Sequence, residues 1–292
     1  MFSGLVSFLF MGIDNFKGFV FRRIEVKYFK YGIPLAGASL LTSLSPILER
    51  TIIIQNFSLK DLGFFAAAYK IALLLSMIIT ALQTASFPIL MSIKNSETFD
   101  LILNIYVKTS FLLLTLIALP LVFYSENLII VLAGSDYISA SDLLTVTLSL
   151  VLMQFSHAVL TIGFLLSHNT TVKLLSQFAC LFFSFVFIIF NVAHISVFEM
   201  LSIILAIRAV FLVIDFNLAQ QQYKIRWTSL RCITSLIGYF ALIWYISFVD
   251  EYGIQVLIFS AVISFVIFLV TLSRSEFELL ILSARKMVKY GK

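Results

Sequence analysis

Ionisable side chains inside long apolar stretches are the residues of this 292-residue chain whose type and position point to chemistry. A charged side chain that faces lipid costs roughly 3 kcal/mol or more, so such residues usually face a protein interior, a water-filled cavity or a ligand. Six such residues lie inside the apolar stretches, and two of them, Glu49 and Asp215, are acidic. The four basic residues are Arg50, Lys70, Lys108 and Arg208.

The excess of positive charge among these six residues predicts a cavity that binds an anion. Attraction between opposite charges is stronger in a low-dielectric setting, so the four basic residues would together supply a strong positive potential. Glu49 and Asp215 are candidates for coupling transport to an ion gradient.

Other interpretations of the basic residues stay open. Lys70 and Lys108 lie close enough to span ends for their ammonium groups to reach the lipid head groups. Arg208 lies too deep for that, but pairing with Asp215 or Glu199 would give it a purely structural role. Asp215 follows Arg208 by seven residues, which places both on one helix face.

Catalytic and metal-binding motifs are absent from the sequence. It contains no G-x-x-x-x-G-K-[ST], H-E-x-x-H or G-x-S-x-G pattern, which would indicate nucleotide binding, a zinc protease or a serine hydrolase. Its three histidines are dispersed, and Cys180 and Cys232 form no C-x-x-C. We therefore expect no enzyme activity, no cofactor and no metal.

The elements that hold these residues are predicted to be membrane-spanning helices. Hydrophobic residues make up 61% of the chain and charged residues 12%, and the mean hydropathy is +1.07. Apolar runs continue over about twenty residues, as a spanning helix requires, and lack the alternation of barrel strands. We predict an all-α polytopic transmembrane helix bundle. Its eight spans are Tyr31–Ile54, Leu62–Ile89, Leu101–Tyr124, Leu143–Leu166, Val172–Val192, Val197–Asn217, Trp227–Val249 and Ile254–Leu272.

Basic residues alternate between successive loops, and this alternation predicts the orientation. Lys or Arg occurs before the first span, after the second, fourth and sixth spans, and in the C-terminal tail. The intervening loops are acidic or lack basic residues, apart from Lys60 beside Asp61. The positive-inside rule therefore places the N- and C-terminal basic segments in the cytoplasm. Because the net charge of +5 resides mostly in these loops, it does not indicate nucleic-acid binding.

These observations divide the chain into four parts. Residues 1–30 form a helix remnant and a basic cytoplasmic loop, and residues 31–220 form a six-helix transmembrane lobe. Residues 221–273 contain two further spans, and residues 274–292 form a basic cytoplasmic tail. Within the lobe, Ser125–Tyr137 is too short to cross the membrane and predicts an interfacial helical turn that ends at a glycine.

Four segments carry motifs with a recognisable order and spacing: Tyr31–Leu35 (YGIPL), Glu49–Ile53 (ERTII), Leu62–Ile71 (LGFFAAAYKI) and Leu132–Tyr137 (LAGSDY). They match the patterns (F/Y)G-x-P, (D/E)R, G-x-(Y/F)-x-x-A-(Y/F)-(K/R) and L-x-G-x-x-Y. From about Lys27 to its C-terminus, the chain resembles the Wzx-type polysaccharide and O-antigen flippases. These belong to the multidrug/oligosaccharidyl-lipid/polysaccharide exporter superfamily.

The resemblance implies two six-helix lobes that move a polyprenyl-diphosphate-linked oligosaccharide from the inner to the outer leaflet by alternating access. This chain has one lobe and two further spans, so it looks like the C-terminal portion of such a flippase. The expected location is a bacterial inner membrane, in lipopolysaccharide or other surface polysaccharide synthesis. The expected partners are the bilayer, an anionic lipid-linked oligosaccharide, and a missing N-terminal lobe, a second copy or other polysaccharide-assembly proteins.

Three alternatives to the flippase interpretation stay open. One is a polytopic glycan polymerase or ligase that acts on the same lipid-linked substrates within the membrane. Another is an exporter of the same fold that carries a drug or a lipid precursor. The third is an inactive truncation.

Overall fold

A computed structural model describes residues 26–227, 237–241, 243–245, 254–273 and 275–278. No strand occurs in these ranges, and six helices are long and apolar enough to cross a membrane, which confirms the predicted all-α polytopic bundle. The helices are α1 (Val26–Asn56), α2 (Leu59–Ser92), α3 (Phe99–Phe123), α4 (Ser125–Ala133), α5 (Ala140–Leu160), α6 (Gly163–Leu166), α7 (Thr170–Asn191), α8 (Val197–Gln222) and α9 (Ile254–Thr271).

The predicted spans agree with these helices wherever the chain is described. The first six predicted spans coincide with the six candidate membrane helices to within a few residues at each end, and Ile254–Leu272 coincides with α9. Only short helical pieces of the predicted seventh span, Trp227–Val249, are described. The predicted helix remnant Met1–Ile13 and most of the basic tail lie outside the described residues.

Helix α5 lies at the centre of the lobe. In the most apolar stretch of Ala140–Leu166, 83% of the residues are buried, whereas the corresponding share for α1 is 6%. Hydroxyl groups on α5 are satisfied within their own helix, as when Ser149 Oγ donates to the Thr145 carbonyl at 2.8 Å and Ser156 Oγ to Leu152 at 2.8 Å. These bonds allow a buried helix to contain serine residues, because each of these hydroxyl groups donates to a carbonyl of the same helix.

Helices α2 and α8 begin with the same capping arrangement. Ser58 accepts a bond from the Asp61 amide while Asp61 accepts from the Ser58 amide, and Ser196 and Glu199 repeat this pattern. Glu199 therefore caps the start of α8 at an exposed position. It is not the partner of a buried arginine, which corrects one of the structural alternatives drawn from the sequence.

The short helix predicted between the third and fourth spans is present as α4. Its C-cap is Gly134, whose φ of 99° lies in the left-handed region that side chains rarely adopt. The Gly134 amide donates to the carbonyls of Ile129 and Ile130, so it ends the helix and turns the chain toward α5.

Helix α6 approaches α8 so closely that only glycine fits at its start. A Cβ atom added to Gly163 would lie 2.7 Å from the backbone carbonyl oxygen of Ala219. We expect Gly163→Ala to lower the free energy of unfolding by about 1–3 kcal/mol, because two backbones must move apart. Unfolding in detergent, followed by circular dichroism, measures this. Gly32→Ala is the matched control, since a Cβ at Gly32 meets nothing within 4 Å; equal stability of the two variants would contradict the prediction.

Candidate functional site

Helices α1 and α8 are joined inside the membrane by an ion pair. One guanidinium nitrogen of Arg208, Nη2, donates to Glu49 Oε1 at 2.7 Å and to Ser45 Oγ at 2.5 Å. Ser45 Oγ in turn donates to the same carboxylate oxygen at 3.0 Å. Ser45 and Glu49 are one helical turn apart on α1, so both reach α8 from one face. We call these three residues the Glu49–Arg208 cluster.

The Glu49–Arg208 cluster neutralises its own charge. The Glu49 side chain is 7% exposed and that of Arg208 is 20% exposed, so the pair is largely shielded from the surroundings. A cavity of about 20 Å³, lined in part by Ser45, Glu49 and Ser184, adjoins the cluster and has room for about one water molecule. Arg208 faces the interior of the lobe, as expected, but its partner is Glu49 rather than Asp215 or Glu199.

Two cations next to this cluster lie on the outer surface of the lobe. Arg50 is exposed, and its guanidinium carbon lies 5.8 Å from the ring centroid of Tyr69 on α2. Lys70, the next residue on α2, is also exposed. The expectation that Lys70 faces the bundle interior is therefore not met in this lobe. Among the described residues, neither Arg50 nor Lys70 forms an ion pair.

Lys108 lies elsewhere, in contact with the C-terminal part of the chain. Its ammonium group donates to Glu276 Oε2 at 2.8 Å and to the Thr271 carbonyl at 2.8 Å, and both charged side chains are buried. The carboxylate of Glu276 also accepts from the Ser273 amide at 2.6 Å. Glu276 thus combines the role of a helix cap with that of a counter-ion, and Lys108 does not reach the lipid head groups.

A second polar cluster joins four helices and contains Asp215. The Asp215 carboxylate on α8 lies 2.6 Å from Nε2 of His157 on α5, and it also accepts from Ser176 on α7. Gln177 on α7 bonds to the other imidazole nitrogen, Nδ1, at 3.1 Å. Thr42 Oγ1 on α1 lies 3.4 Å from Oε1 of the same glutamine. We call these five residues the His157–Asp215 cluster.

The structure therefore distributes the six predicted site residues over separate places. Glu49 and Arg208 form an ion pair, and Arg50, the residue after Glu49, lies near the ring of Tyr69. Asp215 lies about 10 Å from Arg208 along α8, at 1.5 Å per residue. Lys70 is exposed and Lys108 is paired with the C-terminal segment.

Sequence reasoning did not identify two of the partners, His157 and Glu276. The sequence shows His157 as a titratable residue within a span, but its partner lies on another helix and cannot be recognised from the sequence. Glu276 was legible as the end of the S-x-x-E capping pattern that begins at Ser273. In the described part of the chain, no group of three or more His, Cys, Asp or Glu residues is placed to hold a metal ion.

Comparison with known families agrees with the class of protein predicted. Residues 5–142, slightly less than half of the chain, match the sequence model of a family described as "Polysaccharide biosynthesis protein". No significant match was found among curated proteins or among solved structures. The match and the six apolar helices support a membrane protein related to polysaccharide synthesis. Membership of the Wzx-type flippases, and correspondence to their C-terminal portion, stay predictions.

Proposed function

We propose that this chain is a flippase, or the C-terminal portion of one, that moves a polyprenyl-diphosphate-linked oligosaccharide from the inner to the outer leaflet. The similarity of residues 5–142 to polysaccharide biosynthesis proteins supports the kind of cargo. The proposed setting is a bacterial inner membrane with both basic ends in the cytoplasm, as the loop charges indicate. In this proposal the chain performs no catalysis and uses no cofactor.

The observation that carries the proposal is the exposure of Arg50 and Lys70 within neighbouring membrane helices. Arg208 and Lys108 are each compensated by a carboxylate, so they add little net potential for an anion. Arg50 and Lys70 have no carboxylate partner among the described residues, and a cation facing only lipid is costly. A diphosphate suits this pair, because guanidinium and ammonium groups both bind phosphate oxygens.

The proposal includes a second unit that forms the opposite side of the cargo site. Only 6% of the residues in the most apolar stretch of α1 are buried, and Arg50 is exposed, so α1 lies at the edge of this lobe. Alternating access requires two units that rock against each other around a central site. We propose that an N-terminal lobe, a second copy or another polysaccharide-assembly protein covers the face that presents Arg50 and Lys70.

Complementation of a flippase-deficient strain tests the proposal. We expect this chain, produced together with a matching N-terminal lobe, to restore surface polysaccharide. Replacing both Arg50 and Lys70 with Ala should lower export at least about tenfold, because two charge-assisted contacts to the diphosphate are lost. Export is measured as polysaccharide on the cell surface at equal protein level.

Matched controls separate this effect from a general loss of charge. Lys60→Ala removes an exposed cation at the start of α2 and should leave export unchanged. Arg50→Lys with Lys70→Arg keeps both charges and should retain more export than the double alanine variant. Failure of the co-produced lobes to restore export would refute the flippase, and full export by the double alanine variant would refute the site.

A further inference from the structure

The His157–Asp215 cluster contains a histidine and an aspartate that face each other inside the membrane. His157 Nε2 lies 2.6 Å from Asp215 Oδ2, with 13% of the histidine side chain and 1% of the aspartate side chain exposed. Asp215 is seven residues from the end of α8, about 10 Å at 1.5 Å per residue. The pair is thus buried but within reach of one end of the lobe.

Gln177 on α7 connects the His157 imidazole with Thr42 on α1. The Gln177 amide nitrogen donates to His157 Nδ1 at 3.1 Å, while its oxygen faces Thr42 Oγ1 at 3.4 Å. In this orientation of the Gln177 amide, Nδ1 is an acceptor, so neutral His157 has its proton on Nε2, the nitrogen that faces Asp215 Oδ2 at 2.6 Å. Ser176 donates to the other carboxylate oxygen of Asp215.

The His157–Asp215 pair is able to bind one more proton. With neutral His157, the pair has a net charge of −1 from Asp215. Lys173 and Cys180 on α7 also interact electrostatically with Asp215, and Lys173 in its charged form attracts the carboxylate. Arg208, further along α8, is bonded to Glu49 of α1. A proton added to His157 would form a neutral imidazolium–carboxylate pair and leave the Glu49–Arg208 cluster unchanged.

We propose that the His157–Asp215 cluster is a proton-binding site whose occupancy is transmitted to α1 through Gln177. The proton comes from water and binds to Nδ1 of His157, and no bond between heavy atoms changes. Protonated Nδ1 is a donor, so it can no longer accept from the Gln177 amide nitrogen. The amide must turn over, with its oxygen accepting from Nδ1 and its nitrogen donating to Thr42.

Thr42 is able to receive this reversed bond. Its hydroxyl hydrogen is already directed to the Ala38 carbonyl at 3.0 Å, so its oxygen has a free acceptor site for the Gln177 nitrogen. The contact between α1 and α7 then changes from a long 3.4 Å approach to a direct N–H···O bond. Helix α1 also presents Arg50, so protonation of His157 changes the contacts of the helix that faces the cargo. This coupling to the cargo rests on the proposed function.

Nitrogen NMR of the full chain in lipid nanodiscs tests the site without any cargo. The chain has three histidines, so ¹⁵N-histidine labelling gives three imidazole signals, and His157→Gln identifies the one from His157. We expect His157 to be protonated on Nε2 at neutral pH and to become doubly protonated on acidification. His168, which contacts the Tyr31 ring, and His194 are internal controls.

Two variants should each lower the pH at which His157 becomes doubly protonated. Asp215→Asn removes the carboxylate that stabilises the imidazolium, so double protonation should require a pH lower by about one unit or more. Gln177→Leu removes the amide oxygen that accepts from protonated Nδ1, so the imidazolium loses a charge-assisted hydrogen bond and double protonation should also require a lower pH. The signals of His168 and His194 should not move in either variant.

Other outcomes would overturn the proposal. A His157 signal that stays neutral down to pH 4, or that titrates alike in wild type, Asp215→Asn and Gln177→Leu, would show a purely structural cluster. If Asp215→Asn does not fold, Gln177→Leu decides alone. Since the readout involves no transport, failure of the complementation assay would refute the flippase and leave the proton site standing.

Discussion

Glu276→Ala is expected to lower the free energy of unfolding by about 3–5 kcal/mol, the range found when one member of a buried ion pair is removed. The reason is that Lys108, 1% exposed, would keep its charge in a low-dielectric interior without the carboxylate at 2.8 Å. The same variant removes the acceptor for the Ser273 amide. Unfolding by a denaturing detergent, followed by circular dichroism, measures the loss.

Two controls establish that the missing charge partner is responsible. Glu97→Ala removes an exposed carboxylate between α2 and α3 and should change stability by less than about 0.5 kcal/mol. The double variant Lys108→Met, Glu276→Leu removes both charges and should recover most of the stability, because apolar replacements fill similar volumes. Equal stability of Glu276→Ala and Glu97→Ala would show that the pair contributes nothing.

Arg208→Ala is expected to lower both stability and export. It leaves Glu49, whose side chain is 7% exposed, without the guanidinium that donates at 2.7 Å. We expect a loss of about 3 kcal/mol in the free energy of unfolding. Because Glu49 precedes Arg50 directly on α1, movement of this turn should also displace the proposed diphosphate contact and lower export at least about tenfold.

A charge-free double variant separates the two effects. Arg208→Met with Glu49→Leu should regain stability, and export should return with it if the cluster only positions α1. Export that stays low at full stability would show direct contact between Arg208 and the cargo, as the sequence alone suggested. Arg226→Ala, which removes an exposed arginine beyond the end of α8, is the control for charge and should match wild type in both measurements.

The helices were predictable because their signal is local. Each span is a continuous apolar run of sufficient length, and no knowledge of its neighbours is needed to recognise it. The short helix α4 was predictable for a similar reason, since a brief apolar run is followed directly by Gly134. The orientation and the seventh span, Trp227–Val249, stay predictions.

The pairing of the charges was not predictable, because it depends on packing between distant segments. Arg208 and Glu49 are separated by 159 residues, and Lys108 and Glu276 by 168 residues. The apparent excess of positive charge arose because only residues inside spans were counted. Glu276 lies just beyond the last predicted span, yet it neutralises a lysine inside the membrane.

The sequence shows which polar residues lie within the spans, but it does not show which side chains they contact. A histidine within an apolar run reads as an isolated polar residue, and only the approach of α5 to α8 gives His157 an acidic partner. Similarly, Gln177 follows no motif, and its role as a bridge between α1 and α5 depends on two contacts from other helices.

The separation of Glu49 from Arg208 also determines the order of events during biosynthesis. At about 5–20 residues per second, a ribosome needs roughly 8–30 s to synthesise the 159 residues between them. Throughout that interval Glu49 lacks the Arg208 guanidinium to which it is bound in the folded lobe. A chain that ends before α8 therefore keeps Glu49 without its ion-pair partner, so the first span becomes fully compensated only when the last helix of the lobe has been made.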